Sequence, residues 1–283
     1  MENHAAAFFA AYSLDQPAKE TDLSSNPKTT NILKQPDYSS YARFYDYFEL
    51  AGHEESEELN AFLDELFRIN GVKTVIDFAC GTGAQSIGLA RAGYHVTASD
   101  LNPEMLKIAA VKAGKARIKF QVADMRSCDL GLYDAALCIF NAIGHLTKPE
   151  CGVFFANAYR QLNPGGLLVA DILNFTAMAG GAFEEYRYMS REAIIDGMLV
   201  HHARDCSLDL KRRQILIKSV TRWQDGINPP AEVAEDWQMQ IYEAEELRQM
   251  LTIAGFSEII FFGMAGCDFE PDSTDSILAI CQK

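Results

Sequence analysis

The stretch that decides the fold is Val75-Ile-Asp-Phe-Ala-Cys-Gly-Thr-Gly-Ala-Gln-Ser86. An apolar run typical of a buried strand leads into Gly81-Thr-Gly83, and a helical pattern begins at once. Gly81 permits a tight turn, and Gly83 lets backbone approach a ligand closely. The helix N-terminus directs free N–H groups and positive potential at that ligand. The stretch therefore predicts a strand–loop–helix binding site.

Two acidic residues at the ends of the next two predicted strands extend this site. Asp100 stands seventeen positions after Gly83, where a carboxylate can accept both hydroxyls of a ribose. Asp124 follows the third strand, where it can accept from an adenine amino group with Met125 against the ring face. Nicotinamide dinucleotides and S-adenosylmethionine both use this geometry. A dinucleotide-binding loop usually has a third small residue, and Ser86 stands at that position here. The combination of the glycine loop, Asp100 and Asp124 nevertheless favours S-adenosylmethionine.

Short apolar strands alternate with helices on both sides of this loop. Strands that form continuous apolar runs, separated by helices, are typical of a parallel sheet covered on both faces. We therefore predict an α/β fold with a doubly wound, seven-stranded, mostly parallel, Rossmann-like sheet. The predicted core strands are 74–79, 95–100, 118–123, 133–140 and 166–173, with helices at 54–69, 83–92, 103–113 and 148–162; a helix at 243–254 and strands at 258–262 and 276–281 follow.

The alternation ends after Asn174. Four segments rich in strand-forming residues follow, separated by short polar links, which predicts a small inserted antiparallel sheet. The predicted strands of this sheet are 185–191, 198–207, 214–223 and 237–242. The expected organisation is a flexible N-terminal extension over 1–37, a cofactor-binding core over 38–182, the inserted sheet over 183–240, and a C-terminal completion of the core over 241–283.

Several motifs, in this order and spacing, resemble class I S-adenosylmethionine-dependent methyltransferases over roughly residues 38–283. The resemblance implies a methyltransferase with S-adenosylmethionine as its cofactor. By this resemblance Ala79 and Gly81 hold the methionine part, Asp100 the ribose, and Asp124 with Met125 the adenine. Gly83, Leu101 and Ile139 complete the predicted cofactor-binding set. The matching motifs are Asp77-Phe-Ala-Cys-Gly-Thr-Gly83, Val96-Thr-Ala-Ser-Asp100, Ala123-Asp-Met125, Tyr133-Asp-Ala-Ala-Leu-Cys-Ile-Phe-Asn141 and Leu162-Asn-Pro-Gly-Gly166.

Within that family the sequence is similar to small-molecule N-methyltransferases, namely glycine N-methyltransferases and dimethyltransferases of nucleotide-linked amino sugars. The likeness lies in Cys138-Ile-Phe-Asn-Ala-Ile-Gly-His-Leu146 and in the aromatic lead-in Tyr41-Ala-Arg-Phe-Tyr-Asp-Tyr47. Asn141 matches a substrate-contacting asparagine. Leu173 stands where the glycine enzymes have an arginine that holds the substrate carboxylate, which argues against glycine as the acceptor.

Methyl transfer from a sulfonium requires alignment more than acid–base catalysis. An amine must nevertheless be neutral to attack, so a nearby proton acceptor is useful. His145 lies beyond the carboxyl end of the fourth strand, where open α/β sheets bind ligands, and is the predicted proton acceptor. Tyr45 and Asn141 are the other predicted catalytic residues. The alternatives are a structural histidine that caps the following turn and tyrosines that pack in the core.

The inserted sheet is the predicted specificity element. It carries eight Lys and Arg against ten Asp and Glu, a net charge of −2 within −14 for the chain. We expect Arg187, Arg204 or Arg222 to contact an anionic group on the acceptor, and Tyr41 and Tyr47 to close over the site. The alternative is that the arginines are exposed charges on the outer face of the sheet.

The acidic composition narrows the range of partners. A net charge of −14 over 283 residues repels phosphate backbones and anionic lipid, so neither nucleic acid nor a membrane is the expected partner. The seven cysteines form neither Cys-x-x-Cys pairs nor zinc-spaced clusters, which predicts reduced thiols, a cytoplasmic location and no metal site. The expected partners are a small-molecule acceptor and a second copy of the chain, paired through the inserted sheet.

The sequence thus predicts an S-adenosylmethionine-dependent methyltransferase that acts on an amine nitrogen of a small molecule. An O- or C-methyltransferase is an alternative, because the core motifs do not encode the acceptor atom. Two other classes stay open: a nicotinamide-dependent oxidoreductase, and a non-catalytic cofactor-binding protein whose inserted sheet serves a partner.

Overall fold

A computed structural model of the chain describes residues 33–49 and 52–283. Most of the predicted N-terminal extension, residues 1–32, lies outside the described residues. The described part contains eleven strands in two sheets. In chain order these are β1 Thr74–Phe78, β2 His95–Asp100, β3 Ile118–Val122, β4 Tyr133–Cys138, β5 Leu162–Leu173, β6 Tyr188–Ile195, β7 Met198–Asp209, β8 Gln214–Gln224, β9 Ala231–Gln240, β10 Ser257–Phe262 and β11 Ser276–Gln282.

Seven strands form the core sheet in the order β10-β11-β5-β4-β1-β2-β3. The pairs from β5 to β3 are parallel, and β11 runs antiparallel to both of its neighbours. The strand order reverses between β1 and β4, and at this point the carboxyl ends of the strands leave a crevice. The predicted doubly wound, seven-stranded, mostly parallel sheet is confirmed.

Helices cover both faces of the core sheet. The longer ones are α1 Gly52–Ile69, α2 Ala84–Ala92, α3 Pro103–Ala113, α4 Lys148–Arg160 and α5 Ala244–Ala254. Their ends follow from local chemistry: Asn102 caps α3, with proline at its first position, and Thr147 with Glu150 forms a capping box on α4. None of the helices described is long and apolar enough to cross a membrane.

Two apolar clusters, one on each face of the core sheet, explain why its central strands are apolar throughout. One cluster contains Phe78, Phe154 and Phe155, and the other contains Leu59 and Leu137. All five side chains are fully buried. Because both faces of the sheet are covered, the polar residues at the strand ends can meet only at the edges of the sheet.

The inserted sheet is antiparallel, in the order β6-β7-β8-β9. Three short helical turns, Tyr38–Tyr41, Ala42–Phe44 and Tyr45–Phe48, form what we call the N-terminal helical segment. Its side chains pack with residues of the inserted sheet in one buried cluster, which includes Tyr41, Phe44, Phe48, Ile195 and Val200. The segment and the sheet together therefore cover the carboxyl edge of the core sheet.

The predicted starts of three strands were wrong by more than one residue, each for a local reason. The first inserted strand begins at Tyr188 rather than at 185, because Phe183–Tyr186 form a helical turn. The last inserted strand begins at Ala231 rather than at 237. Acidic residues are interspersed along its first half, and such a stretch lacks the apolar pattern on which the prediction relied. β5 begins at Leu162, which pairs with Tyr133 before a shift in register.

Gly83 lies where α2 packs closely against α3. Its φ is +83°, and a Cβ at this position would lie 3.1 Å from the Ala109 Cβ and 3.4 Å from an Ile87 carbon. Gly71 has a similar φ of +68°, but a Cβ there would meet nothing within 4 Å. A substitution at Gly71 would therefore cause backbone strain alone, whereas a substitution at Gly83 would cause backbone strain and steric crowding.

We expect Gly83→Ala to destabilise the fold more than Gly71→Ala. Both variants place alanine in the left-handed region, which costs roughly 1–2 kcal/mol, but only the first crowds a neighbour, for about 1 kcal/mol or more in addition. The free energies of unfolding in urea measure the difference. Equal losses would show that Ala109 moves aside freely.

Candidate active site

A cavity of about 1600 Å³ lies at the carboxyl edge of the core sheet. Its walls are the core strand ends, the N-terminal helical segment with residues just before it, and the inserted sheet. The sequence-predicted residues that line it are Ala79, Gly81, Asp100, Leu101, Asp124, Met125, Ile139, Asn141, His145, Tyr45 and Arg204. Those outside the lining are Gly83, Tyr41, Tyr47, Arg187 and Arg222.

Two hydrogen bonds join the glycine loop to the end of β2, and one of them, from the Cys80 N–H to the Ser99 carbonyl at 2.9 Å, is between backbone groups. The Gly81 N–H donates to Asp100 Oδ2 at 2.8 Å, and the Asn102 N–H donates to Asp100 Oδ1 at 2.8 Å. Burial raises the pKa of Asp100, and these backbone donors oppose that shift. A carboxylate has about four acceptor sites, so Asp100 keeps acceptor capacity for a ligand. A Cβ at Gly81 would enter open space, which leaves room for a ligand beside the loop.

Asp77 is a cavity residue that the sequence reasoning did not assign to the site. It lies in β1 just before the glycine loop and accepts a hydrogen bond from the Ser86 hydroxyl. Burial raises the pKa of Asp77 to about 7. The signal that could have identified it is a carboxylate within an otherwise apolar strand, because such a buried charge is costly unless it has partners.

Asp124 forms an ion pair with Arg126 at the wall of the cavity. Arg126 Nη2 donates to Asp124 Oδ2 at 2.6 Å, and Arg126 Nε lies 3.0 Å and 3.1 Å from the two oxygens. Arg126 also donates to Glu150. Hydrogen bonding to Arg126 lowers the pKa of Asp124. An adenine amino group at Asp124 would therefore share these oxygens with Arg126.

The loop after β4 has two consecutive residues, Phe140 and Asn141, in the left-handed region, each with φ 58°. The Asn141 N–H donates to Asp171 Oδ1 at 3.0 Å, and the Leu173 N–H donates to Asn141 Oδ1 at 3.2 Å. Asn141 Nδ2 lies 3.5 Å from the Met239 sulfur of the inserted sheet. The carboxamide therefore lies between the two sheets, at the wall of the cavity.

His145 contacts the N-terminal helical segment across the cavity. Its Nε2 lies 3.0 Å from the Tyr38 hydroxyl, and its Nδ1 has no hydrogen-bond partner among residues 33–49 and 52–283. Burial lowers the pKa of His145 to about 4, so the imidazole is neutral at pH 7. The helix that follows is capped by Thr147 and Glu150, so His145 is not its cap.

Two acidic residues, Asp46 within the N-terminal helical segment and Glu49 just after it, connect this segment to the rest of the protein. Asp46 accepts from the Thr82 hydroxyl in the glycine loop and from Lys112 in α3. Glu49, the residue after the segment, accepts from Arg204 Nη1 at 2.8 Å. Burial opposes ionisation of Glu49, yet His202 and Arg204 keep its pKa below the ordinary value. The segment is therefore joined to the core on one side and to the inserted sheet on the other.

The remaining predicted substrate residues lie outside the cavity. Tyr41 is buried against His202, with ring centroids 5.0 Å apart, and Tyr47 is 53% exposed. Arg187 pairs with Glu184 and Arg222 with Glu232, both at the surface. Lys211 and Arg212, in the turn between β7 and β8, line the cavity instead. The polar stretch Asp209-Leu-Lys-Arg predicted a turn at this point of the sequence, but it did not predict that the turn borders the cavity.

The chain is similar to known methyltransferases, in part of its sequence and in its fold. Residues 75–166 match the family model described as a methyltransferase domain. Residues 75–166 are therefore similar to a methyltransferase domain, and the resemblance predicted from the sequence is confirmed.

Two curated relatives are similar over the same region. YqeM of Bacillus subtilis, whose name describes it as a methyltransferase, is 33% identical over 139 residues, or 48% of this chain and 55% of that protein. Glycine N-methyltransferase of Rattus norvegicus is 32% identical over 135 residues, or 42% of this chain and 46% of that enzyme. The chain thus spans about half the length of these relatives.

Solved structures share the fold over nearly the whole chain. An S-adenosylmethionine-dependent methyltransferase from Clostridium acetobutylicum superposes with a TM-score of 0.71 at 17% identity, covering 87% of this chain and 98% of that one. A sugar N-methyltransferase from a Streptoalloteichus species gives 0.68 at 18% identity, covering 95% and 99%. The inserted sheet and the core sheet therefore belong to one shared fold.

The lowered pKa of His145 predicts a pH dependence of stability. In the unfolded chain the imidazole binds a proton below its ordinary pKa of 6.5, whereas in the fold it does so only below about 4. The contribution of neutral His145 is therefore complete above pH 6.5 and is lost as the pH falls towards 4. In urea unfolding at several pH values, His145→Gln should show a shallower loss of stability across this range than the unmodified protein. Identical slopes would contradict the prediction.

Proposed function

We propose that this chain is an S-adenosylmethionine-dependent methyltransferase that methylates an amine nitrogen of a small molecule. The observation that carries the proposal is the open glycine loop at Gly81, held 2.8 Å from the Asp100 carboxylate at the edge of a large cavity. The carboxylate can bind the ribose of a ligand, while the N–H groups of the loop can bind the part of the ligand attached to that ribose. The cavity of about 1600 Å³ leaves space for an acceptor next to such a ligand.

The residues present fit S-adenosylmethionine. Asp100 would hold the ribose hydroxyls, and the Ala79–Gly81 loop would hold the methionine part. Leu101, Met125 and Ile139 supply apolar surface around these groups. Leu101 is 66% exposed, which is unusual for a leucine beside a cavity and is explained if a ligand covers it. When bound, S-adenosylmethionine supplies a methyl carbon that its sulfonium has already activated.

The acceptor side of the cavity supports an amine. A neutral His145 beside Tyr38 can accept a hydrogen bond from an amine directly or through the tyrosine hydroxyl, depending on the imidazole tautomer. Asn141 and Tyr45 line the same cavity and can orient the acceptor. Relatives named as glycine and sugar N-methyltransferases also favour nitrogen. Leu173 supplies no cation for a carboxylate at that position, so the proposed acceptor is an amine other than glycine.

Cofactor binding is tested by calorimetry with S-adenosylhomocysteine and with NADH. We expect S-adenosylhomocysteine alone to bind, and Asp100→Asn to weaken its binding about tenfold or more, because a carboxylate hydrogen bond contributes roughly 1.5–3 kcal/mol. Asp129→Asn, an exposed residue outside the cavity, is the matched control and should leave the affinity unchanged. Binding of NADH alone would favour the oxidoreductase reading.

The acceptor atom is tested by mass spectrometry of a panel of amines, alcohols and activated carbon acids. We expect methylated amines, and we expect His145→Gln to lower kcat for them about tenfold or more while leaving the affinity for S-adenosylhomocysteine unchanged. Methylated alcohols or carbon acids would favour the alternative acceptors. Tight cofactor binding without any product would favour a non-catalytic binding protein.

A further inference from the structure

Asp171 is a buried carboxylate that contacts the loop after β4, which contains Phe140 and Asn141. It lies near the end of β5, where its neighbours along the strand are Ala170 and Ile172. Its residue is only 3% exposed, and it borders the cavity. No Lys, Arg or His in the described part of the chain forms an ion pair with it. Burial raises its pKa to about 7, opposed by backbone hydrogen bonds from Phe140 and Asn141.

An uncompensated buried carboxylate is costly, and an apolar residue would fill this position in β5 with less penalty. The hydrogen bonds that Asp171 accepts come from the two loop residues with positive φ. The left-handed region costs a non-glycine residue roughly 1–2 kcal/mol, and such a conformation persists only where its surroundings determine it. The carboxylate therefore stabilises the strained turn at Phe140–Asn141.

The turn in question fixes the orientation of the Asn141 carboxamide. Asn141 is held through its main-chain N–H by Asp171 at 3.0 Å, and through its side-chain Oδ1 by the Leu173 N–H at 3.2 Å. The Leu173 N–H orients the carboxamide through Oδ1, and Nδ2 is the group of the carboxamide that can donate a hydrogen bond to a ligand. It lies beside Met239, a cavity residue of the inserted sheet.

We propose that Asp171 is a positioning residue for the acceptor: it holds the Phe140–Asn141 turn so that Asn141 Nδ2 can donate a hydrogen bond to an oxygen of the acceptor molecule. This inference rests on the proposed methyltransferase function. It adds a substrate feature, because the amine that is methylated should carry a hydroxyl, ether or carbonyl oxygen close to its nitrogen.

The test compares Asp171→Asn, Asn141→Ala and the double variant, with the best amine found for the unmodified protein. Asparagine keeps the size of Asp171 but turns a donating NH₂ group towards the loop N–H groups. We expect each single variant to lower kcat/KM for an oxygen-bearing amine about tenfold. The double variant should be no worse than the poorer single variant, because residues that act through one another are not additive. The affinity for S-adenosylhomocysteine should change less than twofold.

Asp134→Asn is the matched control. Asp134 also accepts backbone N–H groups, those of Lys73 and Thr74 at 3.0 Å and 2.9 Å, but at the opposite edge of the sheet. This variant should lower the melting temperature without changing kcat/KM. A second variant, Asp171→Asn with Phe140→Gly, should recover part of the lost activity, because glycine adopts positive φ without steric cost.

Several outcomes would overturn the proposal. Multiplied losses in the double variant would mean that Asp171 acts independently of Asn141, and a parallel loss of cofactor affinity would mean a general structural role. A crystal structure of Asp171→Asn in which Phe140 and Asn141 keep positive φ would also refute it, whether or not an acceptor is known. If the unmodified protein methylates no amine, the proposed function fails, and this structural result still decides the role of Asp171.

Discussion

The hydrogen bond from the Gly81 N–H to the Asp100 carboxylate is the contact on which the site depends. It joins the loop after β1 to the end of β2, the two elements that begin the parallel sheet. β1 lies inside the sheet between β4 and β2, and this bond holds the loop at the end of β2 together with the backbone bond from the Cys80 N–H to the Ser99 carbonyl. The same carboxylate accepts the Asn102 N–H, and the Asn102 side chain in turn caps α3. One carboxylate thereby connects the loop, the strand and the next helix.

The cavity is completed by parts of the chain that lie far from this loop in sequence. Asp46 fastens the N-terminal helical segment to Thr82 and Lys112, while Glu49 pairs with Arg204 of the inserted sheet. Salt bridges at a surface contribute little, but these acidic groups are partly or largely shielded from water. Apolar packing around Phe44 and Val200 supports them. The walls around the acceptor side are therefore fixed by long-range contacts rather than by the core sheet alone.

The contrast between local features of the core sheet and long-range contacts at the cavity walls explains what could be predicted from the sequence. The strands, the helices and the placement of Asp100 follow from local periodicity and from the glycine loop, so they could be predicted. Arg204 at the cavity and Arg222 at the surface both lie in strands of the inserted sheet, and their partners distinguish them: Glu49 from outside the sheet for Arg204, and Glu232 of the neighbouring strand for Arg222. Asp171 and Tyr38 could not be assigned, because their partners, Asn141 and His145, are 30 and 107 positions away.

At residue 173 the backbone and the side chain make different contacts. The Leu173 N–H holds the Asn141 carboxamide, and every amino acid except proline supplies that donor. Residue 173 also borders the cavity, and its side chain packs against the apolar cluster that contains Met178 and Trp237. The hydrogen bond that holds the turn and the shape of the cavity thus depend on different atoms of one residue, so a substitution of Leu173 by another apolar residue would reshape the cavity while keeping that hydrogen bond.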